Sequence, residues 1–169
     1  LVSLVGFMFL DTKVRGIGIL FHRNFEEVNL RFYVRRREEG EWRRGVVFIS
    51  ELVPRGAIAW VARTLYGEPY RRVPMRHVRA AGASSLEVTY SWRLGGRRHQ
   101  LGVTADPRPV PIPGGSEEEF IFEHYWGYTR RRDGRTTTYQ VEHPRWNVYP
   151  IQSYEIDCDF GMLYGPEWK

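Results

Sequence analysis

Residues 27–34 alternate between polar and apolar side chains and carry the first groups suited to chemistry. Every second residue is apolar: Val28, Leu30, Phe32 and Val34. The residues between them offer a carboxylate, an amide, a guanidinium and a phenol: Glu27, Asn29, Arg31 and Tyr33. A period of two predicts a strand with its apolar face in the core. The polar face is typical of a solvated surface or of a polar pocket wall, and both interpretations stay open.

Histidine and cysteine give no pattern for a metal site. The five histidines lack the spacing of metal ligands, so neither a metal nor another cofactor is predicted: His22, His77, His99, His124 and His143. His124 lies in an aromatic-rich stretch, 123–126, which is typical of a core and also suits a pocket wall. The single cysteine, Cys158, is predicted to be a buried small hydrophobe, because it lies in an alternating strand.

Length and composition indicate one globular domain, 1–169. A chain of 169 residues that is 42% hydrophobic is able to bury its own core. One cysteine excludes an internal disulfide and favours a reducing, cytoplasmic location. No apolar run approaches the roughly 18 residues of a membrane span, so no membrane partner is predicted. The chain begins at Leu1, without a methionine and inside a predicted strand, which indicates a missing N-terminal segment.

The basic charge does not by itself indicate a nucleic-acid partner. The net charge is +5, and all but two of the 25 basic residues are arginine, the exceptions being Lys13 and Lys169. The arginine runs at 35–37 and 130–132 stand next to predicted turns, where charged side chains are usually solvated. Because no zinc-finger spacing, RNA-binding motif or long basic helix accompanies them, we predict no nucleic-acid binding.

The predicted elements are mostly strands, which makes the fold class α+β, mostly β, with an antiparallel sheet. The predicted strands are 1–10, 28–36, 43–51, 75–80, 86–94, 97–105, 135–142 and 153–163. Pro54 and Gly67 bracket the main predicted helix, 55–66. Its apolar stripe is predicted to lie on the sheet: Ile58, Val61, Ala62 and Leu65. Ser116 begins a capping box for a short helix, 117–125.

Five stretches of the chain, in order, resemble the YqjF-like family, DUF2071. They are 23–29, 69–75, 116–128, 143–146 and 163–165. The resemblance implies an acetoacetate decarboxylase-like fold, in which a strongly bent antiparallel sheet closes into a cone around an internal cavity. It also implies a segment ahead of Leu1, and closed assemblies among decarboxylase-like relatives imply a homo-oligomer.

The comparison with the decarboxylases also identifies a missing residue. Those enzymes resemble this chain around 57–59, and a lysine in a later loop forms a Schiff base with the substrate ketone. The comparable stretch here reads Tyr70-Arg71-Arg72. Because a guanidinium stays protonated, it is not a Schiff-base nucleophile, and this chemistry is not predicted. Glu27 is the counterpart that the resemblance implies for the pocket carboxylate of the decarboxylases.

Three hypotheses follow for the polar residues. The first is an enzyme pocket for a small organic anion or oxo-acid, in which Arg71 or Arg72 anchors the ligand and Glu27 acts as acid or base. The remaining residues predicted to line this pocket are Asn29, Arg31, Tyr33, Tyr70 and His124. The second is a non-catalytic metabolite-binding module with the same wall. The third is a structural role, in which Glu27 and the arginines pair with each other around a filled cavity.

Overall fold

Two large sheets and three short α-helices make up most of the described chain. The computed structural model describes residues 1–14, 17–18, 24–61, 63–64, 67, 69–131, 133–140 and 144–169. The strands are β1 (Val2–Phe9), β2 (Lys13–Val14), β3 (Ile17–Gly18), β4 (Phe25–Glu38), β5 (Glu41–Val53), β6 (Tyr70–Arg72), β7 (Met75–Ala81), β8 (Leu86–Leu94), β9 (Arg97–Ala105), β10 (Val110–Pro111), β11 (Trp126–Arg130), β12 (Thr136–Gln140), β13 (Asn147–Val148) and β14 (Ile151–Asp157). The helices are α1 (Gly56–Val61), α2 (Glu117–Phe122) and α3 (Phe160–Tyr164), followed by a 3-10 helix, Pro166–Trp168. The predicted mostly-β α+β class is confirmed.

The six-stranded sheet is built on the long hairpin of β4 and β5. Its order is β1-β4-β5-β11-β12, and β6 also pairs with β5. Glu39 and Gly40 both have positive φ, 52° and 90°, as a tight hairpin turn requires. β6 and β11 run parallel to β5, so the prediction of an antiparallel sheet is wrong for these two pairs. Both strands reach β5 through connections that contain a helix, which is how parallel neighbours arise.

A four-stranded antiparallel sheet, β14-β9-β8-β7, covers one face of this hairpin. Val28, Leu30 and Leu52 pack there against Tyr90 and Trp92. Val28 and Leu52 are fully buried, and each such side chain contributes roughly 1.5–3 kcal/mol. The alternation predicted for 28–34 therefore places Val28 and Leu30 in a core, whereas Phe32 and Val34 are only partly buried. Within the described residues, no strand pairing closes either large sheet into a barrel.

Helix α1 covers the opposite face of the hairpin at its open end. Ile58 and Ala59 are buried against Phe25 and Val53. The α-helix spans Gly56–Val61 within the predicted 55–66, residues 63–64 are π-helical, and residues 62, 65 and 66 of that prediction lie outside the described residues. Three members of the predicted stripe have side chains outside the described set: Val61, Ala62 and Leu65.

Helix α2 begins where the capping box predicts. Ser116 Oγ accepts a hydrogen bond from the Glu119 backbone N–H at 3.2 Å. The Glu119 carboxylate reaches back to the N–H of Gly115, at 2.7 Å, one residue earlier than a capping box requires. The helix ends at Phe122, not at the predicted residue 125.

The C-terminal prediction of a strand at 153–163 is wrong beyond Asp157. Asp159 accepts a hydrogen bond from the Met162 backbone N–H at 2.8 Å, and this cap begins α3. Cys158 precedes the cap and is partly buried. Burial raises the pKa of its thiol to about 11, so it carries no thiolate at neutral pH.

Candidate functional site

The polar face of β4 passes through two different environments. Glu27 and Asn29 lie at the end that α1 and β6 cover, where both are buried. Tyr33 lies six residues further along, beside α2 and His124. Six residues of strand span about 20 Å. The polar face therefore forms two sites, and a ligand at one is beyond hydrogen-bonding reach of the other.

The Glu27 cluster consists of Glu27, Asn29, Glu51 and Tyr70. Strand register aligns three of these residues in one row across β4, β5 and β6: Asn29, Glu51 and Tyr70. The Tyr70 hydroxyl donates to Glu27 Oε2 at 2.8 Å, and Asn29 Nδ2 donates to Glu27 Oε1 at 2.9 Å. Glu27 and Glu51 are 1% and 2% exposed. The interpretation of this end of the strand as a solvated surface is therefore wrong.

Burial controls the protonation of the phenol in the Glu27 cluster. Desolvation raises the pKa of Tyr70 well above its ordinary value, and the Glu27 and Glu51 carboxylates raise it further. Tyr70 therefore stays protonated, and its hydroxyl donates a hydrogen bond to Glu27. The cluster joins β4 to β6 by the hydrogen bond between Glu27 and Tyr70.

The second site, the Tyr33 cleft, is a half-open cavity of about 280 Å³. Its lining residues are Tyr33, Val34, Arg35, Arg44, Phe120 and His124. The rings of Tyr33, Phe120 and His124 pack together, with centroid separations of 4.8 to 5.2 Å. The Tyr33 hydroxyl donates to Ser3 Oγ at 3.0 Å, which fixes the ring. The cleft thus combines aromatic surface with two guanidinium groups.

The environment of His124 favours its neutral form. Desolvation lowers its pKa, the backbone carbonyl of Phe120 opposes that shift, and the positive charges of Arg31 and Arg44 lower the pKa further. His124 Nδ1 makes no hydrogen bond of good geometry within the described residues.

Arg35 and Arg44 are the charged lining residues that the sequence did not predict, and Val34 and Phe120 also line the cleft without having been predicted. Arg35 and Arg44 stand directly opposite each other in the hairpin register. One signal was present, because the alternation that contains Arg31 and Tyr33 continues to Arg35. Arg44 joins the cleft only because β5 pairs with β4, and the sequence did not predict which residues of the two strands stand opposite each other.

Arg71 and Arg72 lie apart from Glu27. The Arg71 guanidinium contacts the Leu163 carbonyl at 3.4 Å, next to the core between the two large sheets. The aliphatic part of Arg72 passes beside Gly56 at the start of α1, and its side chain is exposed. The structure therefore brings Glu27 together with Tyr70 and Asn29, and it brings Tyr33 together with His124.

Arg31 lies between these groups, with long contacts of 3.4 Å to the Tyr33 hydroxyl and 3.5 Å to the Ile121 carbonyl.

Three further observations bear on the kind of site present. Among the described residues, no group of three His, Cys, Asp or Glu side chains is arranged to hold a metal ion. A larger cleft, of about 580 Å³, is lined by Arg63, Thr64, Gly67, Pro69, Arg130, Arg131 and Asp133. No helix in the described part of the chain is both long and apolar enough to span a membrane.

These observations define a mostly-β protein with a buried carboxylate cluster at one end of a strand and an arginine–aromatic cleft at the other. The chain belongs to the family DUF2071, described as an uncharacterized conserved protein, whose profile matches residues 1–169. The family resemblance drawn from the sequence motifs is thus confirmed. Searches of curated proteins and of solved structures found no match.

Proposed function

We propose that this protein binds a small organic anion in the Tyr33 cleft. The observation that carries the proposal is the pairing of Arg35 with Arg44 at the edge of a cleft lined by aromatic rings. Guanidinium groups bind carboxylates and related anions through paired hydrogen bonds. A cleft of about 280 Å³ suits a ligand of few heavy atoms.

Binding is favoured over turnover because of where Glu27 lies. A general acid or base must lie within hydrogen-bonding distance of the reacting group. Glu27 is separated from Tyr33 by about 20 Å of strand and is engaged by Tyr70 and Asn29. Schiff-base chemistry is disfavoured independently, because the stretch comparable to the decarboxylase lysine loop carries Arg71 and Arg72.

The fold that we propose is more specific than the mostly-β α+β class. We infer that the two sheets are a variant of the acetoacetate decarboxylase-like fold and that the Tyr33 cleft opens from its cone. The long, bulged β4–β5 hairpin and its helical cover support this inference. The cytoplasmic location, the homo-oligomer, and the anchoring roles of Arg71 and Arg72 stay predictions from the sequence.

Ligand-dependent stabilisation tests the proposal. Thermal unfolding is followed with a panel of oxo-acids and aromatic carboxylates, for the wild type and for Arg44→Gln. A ligand present at 100 times its Kd stabilises the folded protein by about 2.7 kcal/mol. We expect such a shift for the wild type and a much smaller one for Arg44→Gln.

Arg79→Gln is the matched control, since Arg79 is exposed on β7 in the other sheet. Like Arg44→Gln, this substitution removes one positive charge, and we expect it to leave the ligand-induced stabilisation unchanged. Equal stabilisation of the wild type and Arg44→Gln by every panel member would place the ligand elsewhere and overturn the proposal.

A further inference from the structure

The β4–β5 hairpin carries arginine pairs on both faces, and the described residues neutralise the charge on one of them. On the face away from the cleft, Arg36 stands opposite Arg43. Glu38 pairs with both arginines, at 3.3 Å and 2.8 Å, and Glu39 pairs with Arg43 at 3.1 Å. The positive charge there is balanced by carboxylates of the same hairpin.

On the face toward the Tyr33 cleft, no carboxylate of the described residues provides such a balance. Arg35 stands opposite Arg44, and neither forms an ion pair with a described residue. Arg35 lies over the Trp42 ring, with its Cζ 4.9 Å from the centroid. The charge of Arg44 is felt by Glu119, but that carboxylate already accepts from the Gly115 N–H and from Arg145 Nη2, each at 2.7 Å.

Two like charges directly opposite each other destabilise an antiparallel pair. An anion between them removes that repulsion, and one with two negative charges neutralises both guanidinium groups. A phosphoryl group carries close to two charges at neutral pH and has three acceptor oxygens for guanidinium N–H groups. A carboxylate or a sulfate ester carries one charge and leaves one arginine unbalanced.

The remainder of the ligand must suit the inner wall of the cleft. Tyr33 and Phe120 present aromatic surface, and the Tyr33 hydroxyl already donates a hydrogen bond to Ser3. Flat apolar or aromatic groups stack on such rings. The small volume of the cleft limits this body to roughly one ring.

We propose that the anion bound in the Tyr33 cleft is a phosphate monoester of a small planar group, with its phosphoryl oxygens between Arg35 and Arg44. This inference rests on the proposed function and specifies its ligand class.

The test compares three probes by isothermal titration calorimetry at pH 7.5 and low salt. Phenyl phosphate is the dianion, phenyl sulfate has the same shape with one charge, and inorganic phosphate lacks the ring. We expect phenyl phosphate to bind the wild type at least tenfold more tightly than either of the others. Arg35→Gln and Arg44→Gln should each remove the advantage of phosphate over sulfate, whereas Arg79→Gln should preserve it.

The outcomes separate this inference from the proposed function. If phenyl sulfate binds as tightly as phenyl phosphate, the preference for a dianion is overturned, but the binding of an anion in the cleft is not. If inorganic phosphate binds as tightly as phenyl phosphate, the inference that the ligand carries a planar group is overturned. If neither these probes nor the panel of oxo-acids and carboxylates binds, the proposed function fails as well. Circular dichroism of each variant establishes that a loss of binding is not a loss of fold.

Discussion

The two ends of the polar face of β4 carry similar residue types and have opposite properties. At one end, the Glu27 cluster is buried beneath α1 and β6, and its hydrogen bonds are made within the protein. At the other end, the Tyr33 cleft stays open, and Arg35 and Arg44 face each other without a described carboxylate partner. An alternating strand thus supplies polar groups at regular intervals, and the elements that pack over each part of the strand decide whether those groups are buried or line an open cleft.

The largest expected effect is at Glu27. Glu27→Ala leaves the donors of Tyr70 and Asn29 buried without their acceptor, and we expect the free energy of unfolding to fall by about 3 kcal/mol. Urea denaturation measures this change. Glu41→Ala, at an exposed position of β5, is the control and should cost less than about 0.5 kcal/mol. Equal costs at the two positions would mean that the Glu27 cluster does not stabilise the fold.

Tyr70→Phe should produce a smaller loss. It removes one buried hydroxyl that donates to Glu27 and preserves the ring, so we expect a loss of about 1–2 kcal/mol in the same denaturation experiment. Tyr154→Phe is the matched control, because Tyr154 is 74% exposed on β14. Stability that is unchanged by Tyr70→Phe would indicate that the phenol–carboxylate hydrogen bond contributes nothing net.

The Tyr33 cleft should make stability depend on pH through His124. Its folded-state pKa is lowered from 6.5, chiefly by burial, so the unfolded chain binds a proton more readily. The stability of the wild type should therefore fall as the pH drops below about 6.5 toward the folded-state pKa. His124→Phe should lose less stability over that range. Parallel pH profiles of the two proteins would contradict this assignment.

The smallest effects concern the two arginine faces of the hairpin. Arg44→Gln removes one of two facing like charges and should raise the free energy of unfolding by about 0.3–0.5 kcal/mol at low salt. Arg43→Gln removes ion pairs with Glu38 and Glu39 and should lower it by a similar amount. Both changes should shrink at high salt, because screening weakens surface charge interactions. Changes of the same sign would remove the distinction between the two faces.

Local signals predicted much of the chain correctly. Strands 86–94 and 97–105 match β8 and β9, and the tight turn between them has positive φ at Gly95 and Gly96. Such elements depend on side-chain period and turn residues, which are properties of neighbouring positions. The prediction failed at 160–163, where a capping aspartate overrode an apolar pattern and began α3.

The sequence alone determined the types of polar group present, their alternation on β4 and the absence of a lysine from the loop comparable to that of the decarboxylases. Only the tertiary structure decided which of those groups meet. Arg44 reaches the Tyr33 cleft through hairpin register, and Tyr70 reaches Glu27 because β6 pairs in parallel with β5. Arg71, next to Tyr70 in sequence, contacts Leu163 at the other sheet interface. Strand pairing and the packing of helices on a sheet are contacts between residues that are distant in sequence. Residues that are adjacent in sequence therefore take different roles.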